Sequence, residues 1–255
     1  MSLTKSSNPV FNNKIFQNAA VDSREGMMTI QGAMNKTALL LLFAVLSAGF
    51  VWNKFFAFAS LAQAVSGVSM WLLGGAIGGF ILAMIISFSP RRAPILAPIY
   101  AVLEGLFLGG ISAIFEARYP GLVMRAVGLT FGVFAVMLFL YRSRIIRVTN
   151  KFRMIMVAAI GGIMLVYLVS FIISFFGVHI SFLTDSSRLG IGFSLLVVGI
   201  AAFSLMLDFD LIEQAASQGA PKYMEWYGAF GLMVTLVWLY LEILKLLARL
   251  ANNRN

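Results

Sequence analysis

The chain has 255 residues, of which 60% are aliphatic or aromatic and only 11% are charged, with a formal net charge of +9. Soluble proteins average about a quarter charged residues, so 19 basic and 10 acidic side chains are too few to coat the surface of a soluble domain. The chain contains no cysteine, which excludes disulfides, a thiolate nucleophile and cysteine-based metal sites. The composition therefore predicts a protein whose surface faces lipid.

The first element in chain order is a polar arm of mixed charge, residues 1–34. It has no short apolar core followed by a small-residue cleavage site, so we expect no signal peptide. Its composition is typical of a flexible segment, which we expect on the cytoplasmic side, where it is long enough to bind a partner.

Seven apolar runs follow, each close to the length of about twenty residues that a helix needs to cross a bilayer. Breakers separate several of them, notably Pro90, Pro120 and Pro221. After the sixth run the helical pattern continues past Leu207 but becomes amphipathic, which indicates that this helix leaves the membrane there. We predict an all-α membrane protein, a seven-transmembrane-helix bundle over residues 35–248, with a short basic tail at 249–255. The predicted spans are 35–53, 68–88, 94–115, 122–141, 152–176, 189–207 and 226–247.

The placement of basic residues predicts the orientation. Twelve Lys and Arg residues fall on the side of the arm against four on the opposite side, which predicts a cytoplasmic amino terminus. Because these residues lie in short links between apolar runs, we do not expect nucleic acid binding.

The lack of a targeting signal, the absence of cysteine and the compact loops favour a bacterial inner membrane. Seven crossings place Lys245 and Arg249 outside; we favour a full last span because of its length, with a segment that dips in and returns as the alternative.

Glycines in the second run predict close helix packing. Gly74, Gly75, Gly78 and Gly79 form two overlapping pairs of small residues four positions apart. This pattern lets a neighbouring backbone approach closely in lipid, so we expect another helix to pack tightly against the second one.

Four carboxylates lie in or at the ends of apolar runs, where a charge costs several kcal/mol unless it is paired, protonated or in water. They are Glu104 in the third run, Asp208 and Asp210 at the end of the sixth, and Glu242 in the seventh. Each has a structural interpretation. Glu242 can form a salt bridge with Lys245 three positions on, the two aspartates can be solvated at a helix end, and Glu104 can be a protonated acid bonded to a neighbouring helix.

The functional alternative is that Asp208 or Asp210 meets Glu242 between the sixth and seventh helices. The two aspartates are two positions apart and point to nearly opposite faces, so at most one is expected to face the bundle. Two carboxyls in contact in a water-poor site share one proton, which makes a latch that is closed when protonated and opened by repulsion when the proton leaves. The same oxygens, once ionised, suit a hard cation such as Ca²⁺.

The carboxyl-terminal part of the chain resembles a known family. The stretch LDFDLIEQ at 207–214, followed by 225–227 and by LYLEILKLL at 239–247, looks like the end of a Bax inhibitor/YccA-like protein, of the transmembrane Bax inhibitor motif family. The stretch at 100–109 is similar to the third helix of that family. The resemblance covers nearly the whole chain, from the first apolar run to Leu247.

This resemblance implies a bundle with the last helix central and a pH-dependent calcium leak gated by an acid pair, in which Asp208 matches the first acid and Glu242 the second. In eukaryotes it implies inhibition of cell death, and in bacteria the binding and modulation of a membrane-bound protease. Two departures affect the site. Many members have Asp in place of Glu242, and many follow the first acid with Thr-Gln, where this chain has Phe209 and Asp210. The link between the sixth and seventh helices is also extended at 217–225.

Two functions of different classes follow. The first is a Ca²⁺ leak controlled by protons at Asp208 and Glu242, with Asp210 and Glu104 as further acids on the ion pathway. The second is a regulatory membrane protein that binds and modulates a membrane-bound protease without transport. We do not expect an enzyme, because the only histidine, His179, falls near a predicted loop and no span offers one to activate a hydroxyl. We expect no cofactor, with Ca²⁺ only as the transported ion or as one bound by Asp208 and Glu242.

Overall fold

The described residues of the computed structural model, 26–177, 180, 183 and 185–253, form seven long helices. A 3₁₀ turn at Pro90–Arg92 joins the second helix to the third. Most of the predicted arm, His179 and Arg254 of the basic tail lie outside the described residues. The helices are α1 (Ile30–Phe56), α2 (Leu61–Phe88), α3 (Ala93–Arg118), α4 (Leu122–Arg142), α5 (Asn150–Ser174), α6 (Arg188–Ser217) and α7 (Met224–Asn252).

Each helix is long and apolar enough to cross a bilayer, which confirms the predicted all-α bundle of seven transmembrane helices. Most helices extend beyond the predicted spans: α1 begins at Ile30 and α6 runs on to Ser217. Hydropathy marks only the stretch that lies in hydrocarbon, whereas a helix continues through the interface as long as its backbone hydrogen bonds are made. The amphipathic stretch after Leu207 is confirmed as part of α6.

Local sequence explains where the helices begin and end. Gly121, which follows the predicted breaker Pro120, adopts a φ of +79° before α4, and Gly219 adopts +70° in the link before Pro221. Hydroxyl side chains cap four of the amino-terminal ends by accepting a hydrogen bond from a backbone N–H that has no partner within the helix. The capping residues are Thr29, Ser60, Thr149 and Ser187.

The last helix lies at the centre of the bundle, as the family resemblance implied. Helix α7 packs against α1, α3, α4 and α6, and 50% of its most apolar stretch is buried, the largest share among the seven. Helix α5 is the opposite case, with 11% buried, so most of its surface contacts lipid. Because α7 continues unbroken to Asn252, the structure favours a full span over a segment that dips in and returns.

Glycines on α3 allow its close contact with α1. A Cβ added at Gly105 would lie 2.7 Å from the Cα of Ala44, and one added at Gly109 would lie 2.7 Å from the Cα of Ala48. These separations are shorter than real Cβ atoms adopt, so the two backbones can approach this closely only because both positions are glycine.

Helix α2 packs on the other side of α3 in a similar way. A Cβ at Gly75 would lie 2.8 Å from the backbone nitrogen of Phe107, and one at Gly79 would lie 3.0 Å from Oε2 of Glu104. Gly74 has nothing within 4 Å. The predicted close packing of α2 is therefore confirmed, with Gly75 at its tightest point and Gly74 outside it.

Residues 26–29, here called the strap, join the start of α1 to the link between α6 and α7. The backbone N–H of Met28 donates to the carbonyl oxygen of Ala220 at 2.8 Å, and that of Lys222 donates to the carbonyl oxygen of Gly26 at 3.1 Å. These two bonds form a short antiparallel backbone pair, which holds the base of the arm beside the start of α7.

Candidate functional site

Asp208 has the least satisfied carboxyl group of the four predicted acids. Its Oδ2 atom is buried and has no hydrogen-bond partner among the described residues. The side chain lies on α6 and interacts with Thr235 of α7, whose hydroxyl donates to the carbonyl oxygen of Gly231 at 3.3 Å. None of the ion pairs in the described part of the chain includes Asp208. A charge on this carboxyl therefore needs a cation or water from outside the packed helices.

Glu242 is buried like Asp208, but it is paired. It is 2% exposed, and its Oε1 accepts hydrogen bonds from Lys245 Nζ at 2.7 Å and from the hydroxyl of Tyr167 on α5 at 3.2 Å. Lys245 Nζ also lies 5.3 Å from the centroid of the Tyr167 ring, so the three groups form one cluster between α5 and α7. The structural interpretation, a salt bridge from Glu242 to Lys245, is confirmed.

Asp210 points away from Asp208. Its Oδ2 accepts from Arg153 at the start of α5 at 2.5 Å and from Gln214 at 2.7 Å, and its side chain is mostly buried. Asp208 interacts with α7 whereas Asp210 interacts with α5, which confirms that the two positions face different neighbours. Asp210 is thus a neutralised acid in this structure.

Glu104 lies between α2 and α3, and none of the ion pairs in the described residues includes it. Its carboxyl interacts with Tyr100, one turn earlier on the same helix. The neighbouring helix α2 contributes space rather than a partner, because the glycine at position 79 faces the carboxyl. The expected hydrogen bond to a neighbouring helix is therefore replaced by one within α3.

The structure does not bring the predicted acid pair into contact. Among the described residues no hydrogen bond joins Glu242 to either Asp208 or Asp210. Asp208 interacts with Thr235, which stands seven positions before Glu242 on α7. A rise of about 1.5 Å per residue therefore separates the two acids by about 10 Å along the bundle. A shared proton stays a prediction that this arrangement does not realise by direct contact.

A metal site at the same acids also stays a prediction. No cluster of three or more His, Asp and Glu side chains that could hold a metal ion occurs in the part of the chain that the structure describes. Because Ca²⁺ takes about six to eight oxygen ligands, Asp208 or Glu242 would need backbone or water oxygens to complete a site.

Sequence reasoning missed a buried ion pair at the start of α7. Glu225 is 2% exposed and is paired with Lys36 of α1. It also accepts from the backbone N–H of Thr29 at 2.9 Å and from the Thr29 hydroxyl at 3.0 Å, so it fastens the strap to α7. The available signal was a charged residue in each helix, but the two are 189 positions apart and no local pattern joins them.

A second cluster that sequence reasoning missed lies within the amphipathic part of α6. Glu213 accepts from the hydroxyl of Tyr141 and pairs with Arg144 in the link between α4 and α5. The hydrogen bond and the charge of Glu213 raise the pKa of Arg144 above its ordinary value.

We call the side of the bundle that carries the strap, the α2–α3 turn, the α4–α5 link and the α6–α7 link the basic face. A cavity of about 930 Å³ opens there between the ends of α2, α5, α6 and α7. It reaches Leu207 and Asp210, which stand one and two positions from Asp208. Its remaining charged lining residues are Arg91, Arg92 and Arg153.

The sequence as a whole matches one family model. That model, described as Bax inhibitor 1 like, matches residues 8–252 and so includes all seven helices. Comparison with curated proteins and with solved structures finds no match to the chain.

Proposed function

Because the chain belongs to the Bax inhibitor 1 like family, we propose that it is a pH-sensitive calcium leak, with Asp208 as the acid whose proton controls the leak. One observation supports this proposal most: Oδ2 of Asp208 is buried beside the central helix without a hydrogen-bond partner among the described residues. The other acids of α6 and α7 have cations beside them, as Asp210 has Arg153 and Glu242 has Lys245.

The proposed gate follows from the cost of a buried charge. A protonated Asp208 is neutral and stays packed against α7. A deprotonated Asp208 carries a charge beside Thr235, and none of the ion pairs among the described residues includes it. That charge draws in water or a cation and separates α6 from α7. A rise in pH therefore opens the path, and Ca²⁺ takes the place of the proton because it prefers carboxylate oxygens.

The cavity on the basic face offers the route to Asp208. It is lined by Leu207 and Asp210, which flank Asp208 on α6, so a proton or an ion that enters from this face reaches the height of Asp208 within the cavity. Because the rest of the path runs between packed helices, this arrangement fits a slow leak that opens on a change of charge better than a wide permanent pore.

Glu242 is proposed as a second acid on the same path, nearer the opposite face. Lys245 neutralises it in this structure, so a passing Ca²⁺ competes with the ammonium group for the carboxylate. Since the two acids differ by about 10 Å in height, we propose that they act in series rather than through one shared proton.

The experiment is Ca²⁺ influx into proteoliposomes with an entrapped fluorescent indicator, measured across a pH series. Asp208→Asn should give a low flux that no longer rises with pH, because the amide resembles the protonated acid. Asp210→Asn is the matched comparison, since it makes the same change two positions away on a carboxylate that Arg153 already neutralises. It should keep the slope. A pH profile for Asp208→Asn that matches the unmodified protein would overturn the proposal.

A double variant distinguishes acids in series from a shared proton. If the two acids act in series, Glu242→Gln lowers the flux but leaves its pH profile, which depends on Asp208, in place. If they share one proton, either single change removes the whole dependence and the double variant adds nothing.

The strap favours the alternative function, regulation of a membrane-bound protease without transport. Because the strap binds the α6–α7 link, a partner that holds the arm would act on the helix that carries Asp208. Deleting residues 1–25 leaves the strap intact. The alternative predicts that this deletion abolishes capture of the protease and that no Ca²⁺ flux exists to be lost; a pH-dependent flux from the unmodified protein would contradict it.

A further inference from the structure

The cavity on the basic face holds two arginines without a partner. Arg91 and Arg92 lie in the 3₁₀ turn between α2 and α3, and both are exposed. No hydrogen bond, ion pair or ring contact engages either guanidinium group among the described residues. Arg153 lines the same cavity, but Asp210 neutralises it at 2.5 Å. The cavity thus has a positive charge that no protein group in the described chain balances.

The rest of the lining is largely apolar and open to the surroundings. Phe88 is 79% exposed and Leu211 is 47% exposed; Met224 adds to the wall, and Leu207 continues it inwards. Phe88 ends α2 and Met224 begins α7, so this wall stands where spanning helices leave the hydrocarbon. The cavity therefore places an oily wall directly beside two unpaired guanidinium groups at the edge of the membrane.

We propose that this cavity binds one anionic phospholipid, with its phosphate between Arg91 and Arg92 and an acyl chain against Phe88 and Leu211. A guanidinium group donates two parallel hydrogen bonds to the oxygens of one phosphate. Basic pockets between transmembrane helices bind anionic head groups. A soluble phosphate leaves the apolar wall uncovered, and a neutral lipid leaves the charge uncompensated. The volume of about 930 Å³ suits a head group with the first part of a chain, the rest of which lies in the bilayer.

The proposed lipid site uses none of the acids of the calcium leak, although both are reached from the same cavity. A bound lipid nevertheless affects the entry of a cation into that path. A bound phosphate neutralises Arg91 and Arg92 at the mouth through which a cation would reach Asp210, and so lowers the electrostatic barrier to its entry.

The test titrates lipid into the full-length protein in neutral detergent micelles and measures the apparent Kd from the rise in Tm. The probes are phosphatidylglycerol, phosphatidylcholine with the same acyl chains, and inorganic phosphate. Arg91→Gln combined with Arg92→Gln should weaken phosphatidylglycerol binding by about 10- to 30-fold. The matched control, Arg142→Gln combined with Arg147→Gln, removes the same charge from exposed positions outside the cavity and should leave binding unchanged.

Several outcomes overturn the proposal. One is unchanged phosphatidylglycerol binding in the Arg91/Arg92 variant. Another is an equal loss of phosphatidylglycerol affinity in the control variant, because the lipid is then attracted by the charge of the whole basic face. Phosphatidylcholine that binds as tightly as phosphatidylglycerol means a purely apolar groove, and inorganic phosphate that binds as tightly means a soluble anion site.

If the double variant does not fold, Phe88→Gln tests the acyl contact with both arginines in place. It should reduce the preference for long-chain over short-chain phosphatidylglycerol, and an unchanged preference counts against the site.

Discussion

Replacing Gly109 by alanine should push α3 away from α1 and destabilise the bundle. The added Cβ would lie 2.7 Å from the Cα and 2.9 Å from the carbonyl carbon of Ala48, whereas ordinary contact begins at 3.4 Å. Because both atoms belong to the backbone of α1, no side chain can rotate out of the way and the helices themselves must separate by several tenths of an ångström. Overpacking of this kind costs about 1–3 kcal/mol, which for a chain of this size lowers Tm by roughly 2–12 °C.

The measurement is the thermal unfolding of purified protein in detergent micelles, followed by the fluorescence of its four tryptophans. Gly49→Ala is the matched control, since it makes the same change within α1 at a position with nothing within 4 Å. It should leave Tm unchanged or raise it, because alanine favours helix over glycine by up to about 1 kcal/mol. Equal Tm values for Gly109→Ala and Gly49→Ala would refute the close contact between α1 and α3.

Two further predictions concern the buried charges. Glu225→Gln leaves Lys36 without its charged partner and should lower the free energy of unfolding by about 3–5 kcal/mol, measured by denaturant titration in micelles. An unchanged midpoint would mean that the pair contributes nothing. Lys245→Met removes the ammonium group from the buried Glu242 and should lower Tm more than Tyr167→Phe, which removes one hydroxyl bond of about 1 kcal/mol. The reverse order would contradict the view that Lys245 is the main partner of Glu242.

The architecture could be predicted from the sequence because it depends on local quantities. The length of each apolar run fixes how many helices can cross a bilayer, and breakers such as Pro120 and Pro221 fix where they are interrupted. The salt bridge from Glu242 to Lys245 was predicted for the same reason, since three positions on a helix bring two side chains together. The central position of α7 came from the family resemblance, not from composition.

The arrangement of the acids could not be predicted because it depends on the relative height of two helices. Thr235 and Glu242 lie about 10 Å apart along α7, and only the positions at which α6 ends and α7 begins decide which of them Asp208 meets. The pairing of Glu225 with Lys36 was out of reach because it joins helices far apart in the chain. The spacing of Gly105 and Gly109 on α3, by contrast, repeats the pattern recognised on α2 and was a signal that could have been used.

The central functional claim is that Asp208 loses its proton as the leak opens. Infrared difference spectroscopy on the reconstituted protein measures the protonated-carboxyl band directly, over the same pH series as the Ca²⁺ flux. The account predicts a band that disappears with the same midpoint at which the flux rises and that is missing from Asp208→Asn. A band that Asp208→Asn leaves unchanged, or a midpoint that differs from that of the flux, would contradict it.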